Sequence, residues 1–232
     1  MAYKTIGVIG GMGPAATAAF MRRIIDLTFA EDDAQHVPLL VDMNPQIPSR
    51  IDAIINESEN PGPTLASMAK GLEERGAQAL VMPCNTAHYY ADYIESAVNI
   101  PLLNMLSLSA MNIQALIGKS NVGMLASPLT DDVGIFRDAF EPFGLSVIFP
   151  EDADYVLSII RRIKAEGITG DMGLKLTELG QELQNRGADC LLVGCSEFSM
   201  LTDKVEIDSP IFDTVDILAQ KAIQFSGAIL KT

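Results

Sequence analysis

Short apolar runs recur along the chain, separated by longer stretches with a helical alternation of apolar and polar residues. Residues 6–9, 38–43, 79–82, 102–105, 122–126, 146–149, 190–193 and 211–212 are mostly apolar and short, as expected of strands buried on both faces. Between them, 17–29, 62–75, a stretch from about 85, and another running through 117 carry the spacing of helices. Strands of this length alternating with helices predict βαβ units and an α/β fold, with mainly parallel sheets flanked by helices. No low-complexity linker interrupts the alternation.

The alternation is also duplicated. Residues 75–84 are RGAQALVMPC and residues 186–195 are RGADCLLVGC, matching without a gap at a separation of 195 − 84 = 111. Upstream, IGVIGG from Ile6 loosely echoes NVGMLAS from Asn121. Downstream, IPLLNMLSLSAM from Ile100 echoes SPIFDTVDILAQ from Ser209. This period is too long for a solenoid. It predicts two similar Rossmann-like α/β halves related by pseudo-twofold duplication. The first half covers 1–100 and is completed by 209–232, whose strand and helix return to it; the second covers 101–208.

Charge and cysteine usage narrow the possible partners. Sixteen basic against thirty acidic residues give a net charge of −14, which argues against nucleic acid or an anionic membrane surface. The apolar runs are too short to span a bilayer, and the N-terminal MAYKTIGVIGG lacks a signal-peptide pattern. Three cysteines are too few for a disulfide scaffold, so reduced thiols and a cytoplasmic location are expected. No metal-ligand spacing appears, and no metal is expected.

The repeat puts chemistry at two of the cysteines. Ligands of parallel α/β sheets sit beyond the carboxyl ends of the strands, where Cys84 and Cys195 both fall. Each precedes polar residues able to cap a helix, and a helix N-terminus lowers a thiol pKa. Each half is therefore expected to present one activated thiol. If the halves face each other across the pseudo-twofold axis, two thiols flank one cleft, as proton exchange at a single carbon without a cofactor requires. The alternative is that strand-end cysteines are simply small buried hydrophobes. Cys190 fits that alternative, because it lies mid-strand and aligns with Ala79.

The Gly-rich run Gly11-Met12-Gly13-Pro14 formally fits a dinucleotide fingerprint. The acidic residue that would hold a ribose is misplaced, however. Asp32 and Asp33 precede the next strand, and Asp42, at its end, is 42 − 11 = 31 residues from the first glycine, where about 20 is usual. Pro14 also removes an N–H from the helix start. The loop, with Met12 and Gly13, is better suited to wrapping a small substrate, and no cofactor is expected.

GVIGGMGPAAT, NPQIPSR (44–50), MPCNTAH (82–88) and VGCSE (193–197) together resemble the aspartate/glutamate racemase family, most nearly its aspartate racemases, over essentially the whole chain. The resemblance implies that Cys84 and Cys195 are paired catalytic thiols. It implies that Asn85, Thr86 and Ser196 hold the substrate's carboxylate and amine, and that Arg50 and Lys164 bind an acidic substrate. Glu197 either holds the substrate ammonium or caps its own helix. Where relatives often carry a T-x-G-T-like loop, this chain has ASPLT (126–130), in which Ser127 and Thr130 remain as donors. His88 is expected on a helix surface. The expected activity is interconversion of L- and D-aspartate by a homodimer. Alternatives are a racemase of glutamate or another amino acid, a maleate-isomerase-like enzyme, and a non-catalytic sensor of an acidic metabolite.

Overall fold

Gly7 and Gly123 carry the repeat down to single atoms. In the computed structural model, which describes residues 3–231, each lies in the first strand of its half. A Cβ added at Gly7 would stand 2.8 Å from Leu80 Cδ2, 3.0 Å from Ala77 Cβ and 3.2 Å from Leu72 Cβ. At Gly123 it would meet Leu191 Cδ2 at 2.7 Å and the Cβ atoms of Ala188 and Leu183, both at 3.0 Å. Each second-half neighbour lies 111 residues beyond its first-half counterpart, so one strand–helix contact has been built twice. Gly7→Ala and Gly123→Ala should each destabilise the protein by about 1–3 kcal/mol through overpacking. Thermal melts should register roughly 2–4 °C per kcal/mol; an unchanged melting temperature in both variants would refute the shared contact.

The first half runs β1 (Ile6–Gly10), α1 (Pro14–Leu27), β2 (Thr28–Phe29), β3 (Leu39–Met43), α2 (Arg50–Ile55), α3 (Gly62–Glu74), β4 (Ala79–Val81) and α4 (Ala91–Glu95). After α5 (Met105–Ile117) come β5 (Asn121–Ala126), α6 (Leu129–Asp132), α7 (Ile135–Phe140), β6 (Ser146–Ile148), α8 (Ala153–Glu166), α9 (Met172–Asn185), β7 (Cys190–Gly194) and β8 (Ile211–Asp213). The described chain closes with α10 (Thr214–Ser226) and β9 (Ile229–Leu230).

Both main sheets are parallel. The first has the order β3-β1-β4 and the second β6-β5-β7-β8. Leu102 adds a single parallel bridge to Leu80, as Ile211 pairs with Leu191 in β7. The supporting hydrogen bonds repeat as well: Leu80 N–H donates to Pro101 O at 2.8 Å, and Leu191 N–H to Pro210 O at 2.9 Å. β2 and β9 form a small antiparallel pair.

The chain divides into two compact units, 1–105 with 215–232, and 106–214. α5 therefore belongs almost wholly to the second unit, and α10, beyond its first residue, to the first. Two sequence expectations change. The strand at 211–213 stays in the second sheet beside β7, and only the helix after it belongs to the first unit. The predicted strand at 102–105 shrinks to one bridge, because α5 already begins at Met105.

One apolar core in the first unit gathers Ile9, Leu65, Leu72, Leu80, Met82 and Ile94; one in the second gathers Leu125, Ile159, Leu176, Leu183, Leu191 and Phe198. Among the described residues, no helix is long and apolar enough to cross a membrane, and no cluster of three metal-ligating side chains occurs.

Candidate active site

In the first unit the Gly-rich loop is shaped by its own chain. Gly11 has φ +103°, and a Cβ there would fall 2.2 Å from Asn44 O. Only glycine lets the loop pass this close to the start of NPQIPSR. The Thr17 hydroxyl accepts from Gly11 N–H and donates to Gly13 O, both at 3.0 Å. Pro14 fills the first helical position of α1, where an N–H is dispensable. The loop's geometry thus comes from its close approach to Asn44 and from the Thr17 hydroxyl.

Gly10 pairs with Met43 at the carboxyl edge of the sheet, so the Gly-rich loop and NPQIPSR leave adjacent strands. β4 flanks β1 on the other side and leads to Cys84. Met12, Ile47 and Cys84 lie in one buried cluster. Arg50 opens α2, and Ser49 caps that helix by accepting from Asp52 N–H at 3.2 Å. The Arg50 Nη1 donates to Pro48 O at 3.3 Å, while its Nε is buried with no hydrogen-bond partner among the described residues. α2 packs against the turn that follows Cys84, and the Arg50 charge favours ionisation of the Tyr90 phenol, though burial dominates and raises its pKa. Arg50 and Cys84 therefore belong to one neighbourhood.

The segment after Cys84 differs from expectation. Asn85 leads into a 3₁₀ turn, Thr86–Tyr90, and α4 starts only at Ala91. His88 is buried, 6% exposed, and is not on a helix surface as the sequence suggested. Its Nδ1 lies 2.9 Å from Cys84 O, and its Nε2 lies 3.3 Å from the Met105 amide nitrogen. An amide N–H can only donate, so Nε2 accepts and the ring proton sits on Nδ1. Burial holds the ring neutral by lowering its pKa to about 4, outweighing the opposing bond to Cys84.

In the second unit Ala126 pairs with Gly194, so the 127–130 loop and Cys195 leave neighbouring strand ends. The Cys195 thiol, 7% exposed, donates to Glu197 Oε2 at 3.1 Å. The Ser196 hydroxyl reaches the same oxygen at 3.4 Å. Lys164 Nζ lies 3.3 Å from Glu197 Oε1, joining a half-exposed ammonium to a carboxylate whose side chain is 9% exposed. Thr130 donates its hydroxyl proton to Ser127 O at 2.6 Å and so braces the loop. Without substrate, the proton expected to serve as a donor goes to Ser127 O.

The electrostatics of Cys195 reverse another expectation. A 3₁₀ turn, Phe198–Lys204, follows it in place of an α-helix. Burial, then the Glu197 charge and hydrogen bond, push the thiol pKa well above its ordinary value. The amides of Glu197 and Phe198 pull the other way but do not prevail. Cys195 therefore rests as a thiol. Cys190 is also raised, to about 11, chiefly by burial, in keeping with its role as a small core residue.

Sequence reasoning missed three side chains around these cysteines: His88 as a buried brace, Ser199 and Asp213. The signal was present in the repeat, because 199 − 88 is again 111. Ser199 Oγ lies 2.8 Å from Asp213 Oδ1 and 3.3 Å from Cys195 O, and Thr202 donates to Asp213 Oδ2 at 2.5 Å.

Two α/β units of one design, each with a buried cysteine just beyond a strand of its parallel sheet, define a duplicated α/β protein with one strand-end thiol per repeat. The chain belongs to the Asp/Glu/hydantoin racemase family, whose sequence model matches residues 9–222. It is therefore an enzyme of the racemase class. Its structure is similar to that of an aspartate racemase from Picrophilus torridus, with a TM-score of 0.86 and 29% identity over 98% of this chain and 96% of that one. It is 25% identical to the broad specificity amino-acid racemase RacX of Bacillus subtilis over 94% of this chain and 96% of that protein. Glutamate racemase from Francisella tularensis, in complex with D-glutamate, shares the fold at a TM-score of 0.67 and 16% identity, over 97% of this chain and 81% of that one.

Proposed function

We propose that the protein interconverts L- and D-aspartate without a cofactor, using Cys84 and Cys195 as two bases at the substrate's Cα. The observation that carries this reading is the equivalence of the two thiols, 111 residues apart and each just past the end of an equivalent strand. One thiolate removes the Cα proton while the opposing thiol delivers its own to the far face; the roles exchange for the reverse direction. Cys195, held as a thiol beside Glu197, is ready to donate. When it must act as base, Glu197 Oε2 is within reach to take the Sγ proton, leaving a thiolate and a carboxylic acid.

An acidic substrate approaching a protein of net charge −14 needs local cations. Arg50 supplies a planar fork with a buried Nε in the Cys84 neighbourhood. Lys164 is tethered to Glu197 by one contact, and an ammonium carries three donors. Asn85, Thr86, Ser196 and Ser127 flank the two cysteines at the sheet edges and complete the set of groups we assign to substrate. The same reading places the enzyme in the cytoplasm, since free thiols suit a reducing compartment, and the family resemblance makes it a homodimer.

The likeness to a broad specificity racemase favours a wider substrate range as the second reading. The test of both is incubation with L-aspartate, L-glutamate and neutral L-amino acids in D2O, without added cofactor. Deuterium should enter Cα as the D-enantiomer appears, fastest with aspartate. Faster exchange with glutamate or a neutral amino acid would transfer the assignment to that substrate, and no exchange with any would end the racemase reading.

A further inference from the structure

We propose that His88 in the first unit, and Asp213 acting through Ser199 in the second, are positioning residues that hold each cysteine turn against the point where the chain leaves its own unit. The observation is a repeated geometry. His88 and Ser199 each stand four residues after their cysteine. The His88 Nδ1–H donates to Cys84 O at 2.9 Å, and the Ser199 amide donates to Cys195 O at 3.0 Å. On the far side, His88 Nε2 accepts from the amide of Met105, where the first segment of one unit ends. The Ser199 hydroxyl is held by Asp213, one residue before Thr214, where the other unit ends. Met105 and Thr214 are themselves equivalent, each five residues into the echo that starts at Ile100 and Ser209.

The two halves reach this arrangement with different chemistry. In the first, one neutral ring bridges two backbone groups. In the second, a buried carboxylate collects the hydroxyls of Ser199 and Thr202. Unrelated side chains serving one connection at equivalent positions point to the connection as the thing both halves need. Its immediate target is the carbonyl of the cysteine itself, so loss of the brace moves the thiol directly. A displacement near 1 Å at a reacting group costs about 100-fold in rate.

The proposal rests on the cysteines being the reactive groups, yet its primary test needs no turnover. Alkylation of Cys84 by iodoacetamide is followed against pH by peptide mass spectrometry in the full-length protein, in wild type, His88→Asn and His88→Leu. Asparagine can keep the donor to Cys84 O; leucine keeps neither bond. The His88→Leu profile should shift so that the Cys84 rate at neutral pH changes by about tenfold or more, with Cys195 unaffected and His88→Asn close to wild type. Asp213→Leu, which leaves the Ser199 hydroxyl no acceptor at this position, should move the Cys195 profile and leave Cys84 alone.

With aspartate, His88→Leu should lower kcat roughly 10- to 100-fold with KM changed less than about threefold. If His88→Leu does not fold, Asp213→Leu decides by the same readout. A folded His88→Leu or Asp213→Leu whose cysteine profiles superimpose on wild type overturns the proposal. A wild-type protein that racemises nothing, yet shows the His88-dependent profile, refutes the aspartate reading and leaves the positioning role standing.

Discussion

Cys84→Ser and Cys195→Ser should each slow racemisation by roughly 100- to 10,000-fold, and equally in both directions. Each turnover in the proposed mechanism uses one cysteine as base and the other as acid. Losing either stops both directions, since enantiomers have an equilibrium constant of one. Serine keeps the size of the side chain and can keep the bond from position 195 to Glu197 Oε2, now 3.1 Å from Sγ. What it loses is acidity, since a hydroxyl is far less readily ionised than a thiol. Chiral chromatography of the aspartate product, with circular dichroism to verify folding, checks the result. A folded single variant retaining activity within tenfold of wild type would rule out paired thiol bases.

Stability should fall with mild acidification because of His88. Its folded pKa is lowered from 6.5 to about 4 by burial, so the folded state favours the neutral ring. Below pH 6.5 the unfolded chain binds a proton that the folded chain refuses, and stability drops with pH until about pH 4. The full loss across that window is on the order of 3 kcal/mol, of which roughly 1 kcal/mol is spent by pH 5.5. For a chain of 232 residues this corresponds to a fall in Tm of roughly 2–4 °C between pH 7.5 and 5.5. His88→Gln should flatten that difference, with His36 present in both proteins. Equal falls in Tm for wild type and variant would remove His88 as the cause.

The sequence alone determined the alternation of short apolar strands with helices, the parallel α/β class and the duplication, because buried strands and repeated segments leave their periods in the residues themselves. It also determined where the thiols fall, since strand-end position follows from the runs that precede Cys84 and Cys195. Tertiary structure decided the rest. The polarity of the Cys195 environment depends on Glu197 and Lys164, 33 residues apart in sequence, and on burial, which no local window reports. The fate of the 211–213 strand was settled by its pairing with β7, while a helix one residue later belongs to the other unit. His88 was expected on a helix surface because a helix was expected from about Asn85, whereas the chain there is a 3₁₀ turn. His88 is buried, with Nε2 3.3 Å from the amide nitrogen of Met105, 17 residues on, a contact that only the folded chain brings about.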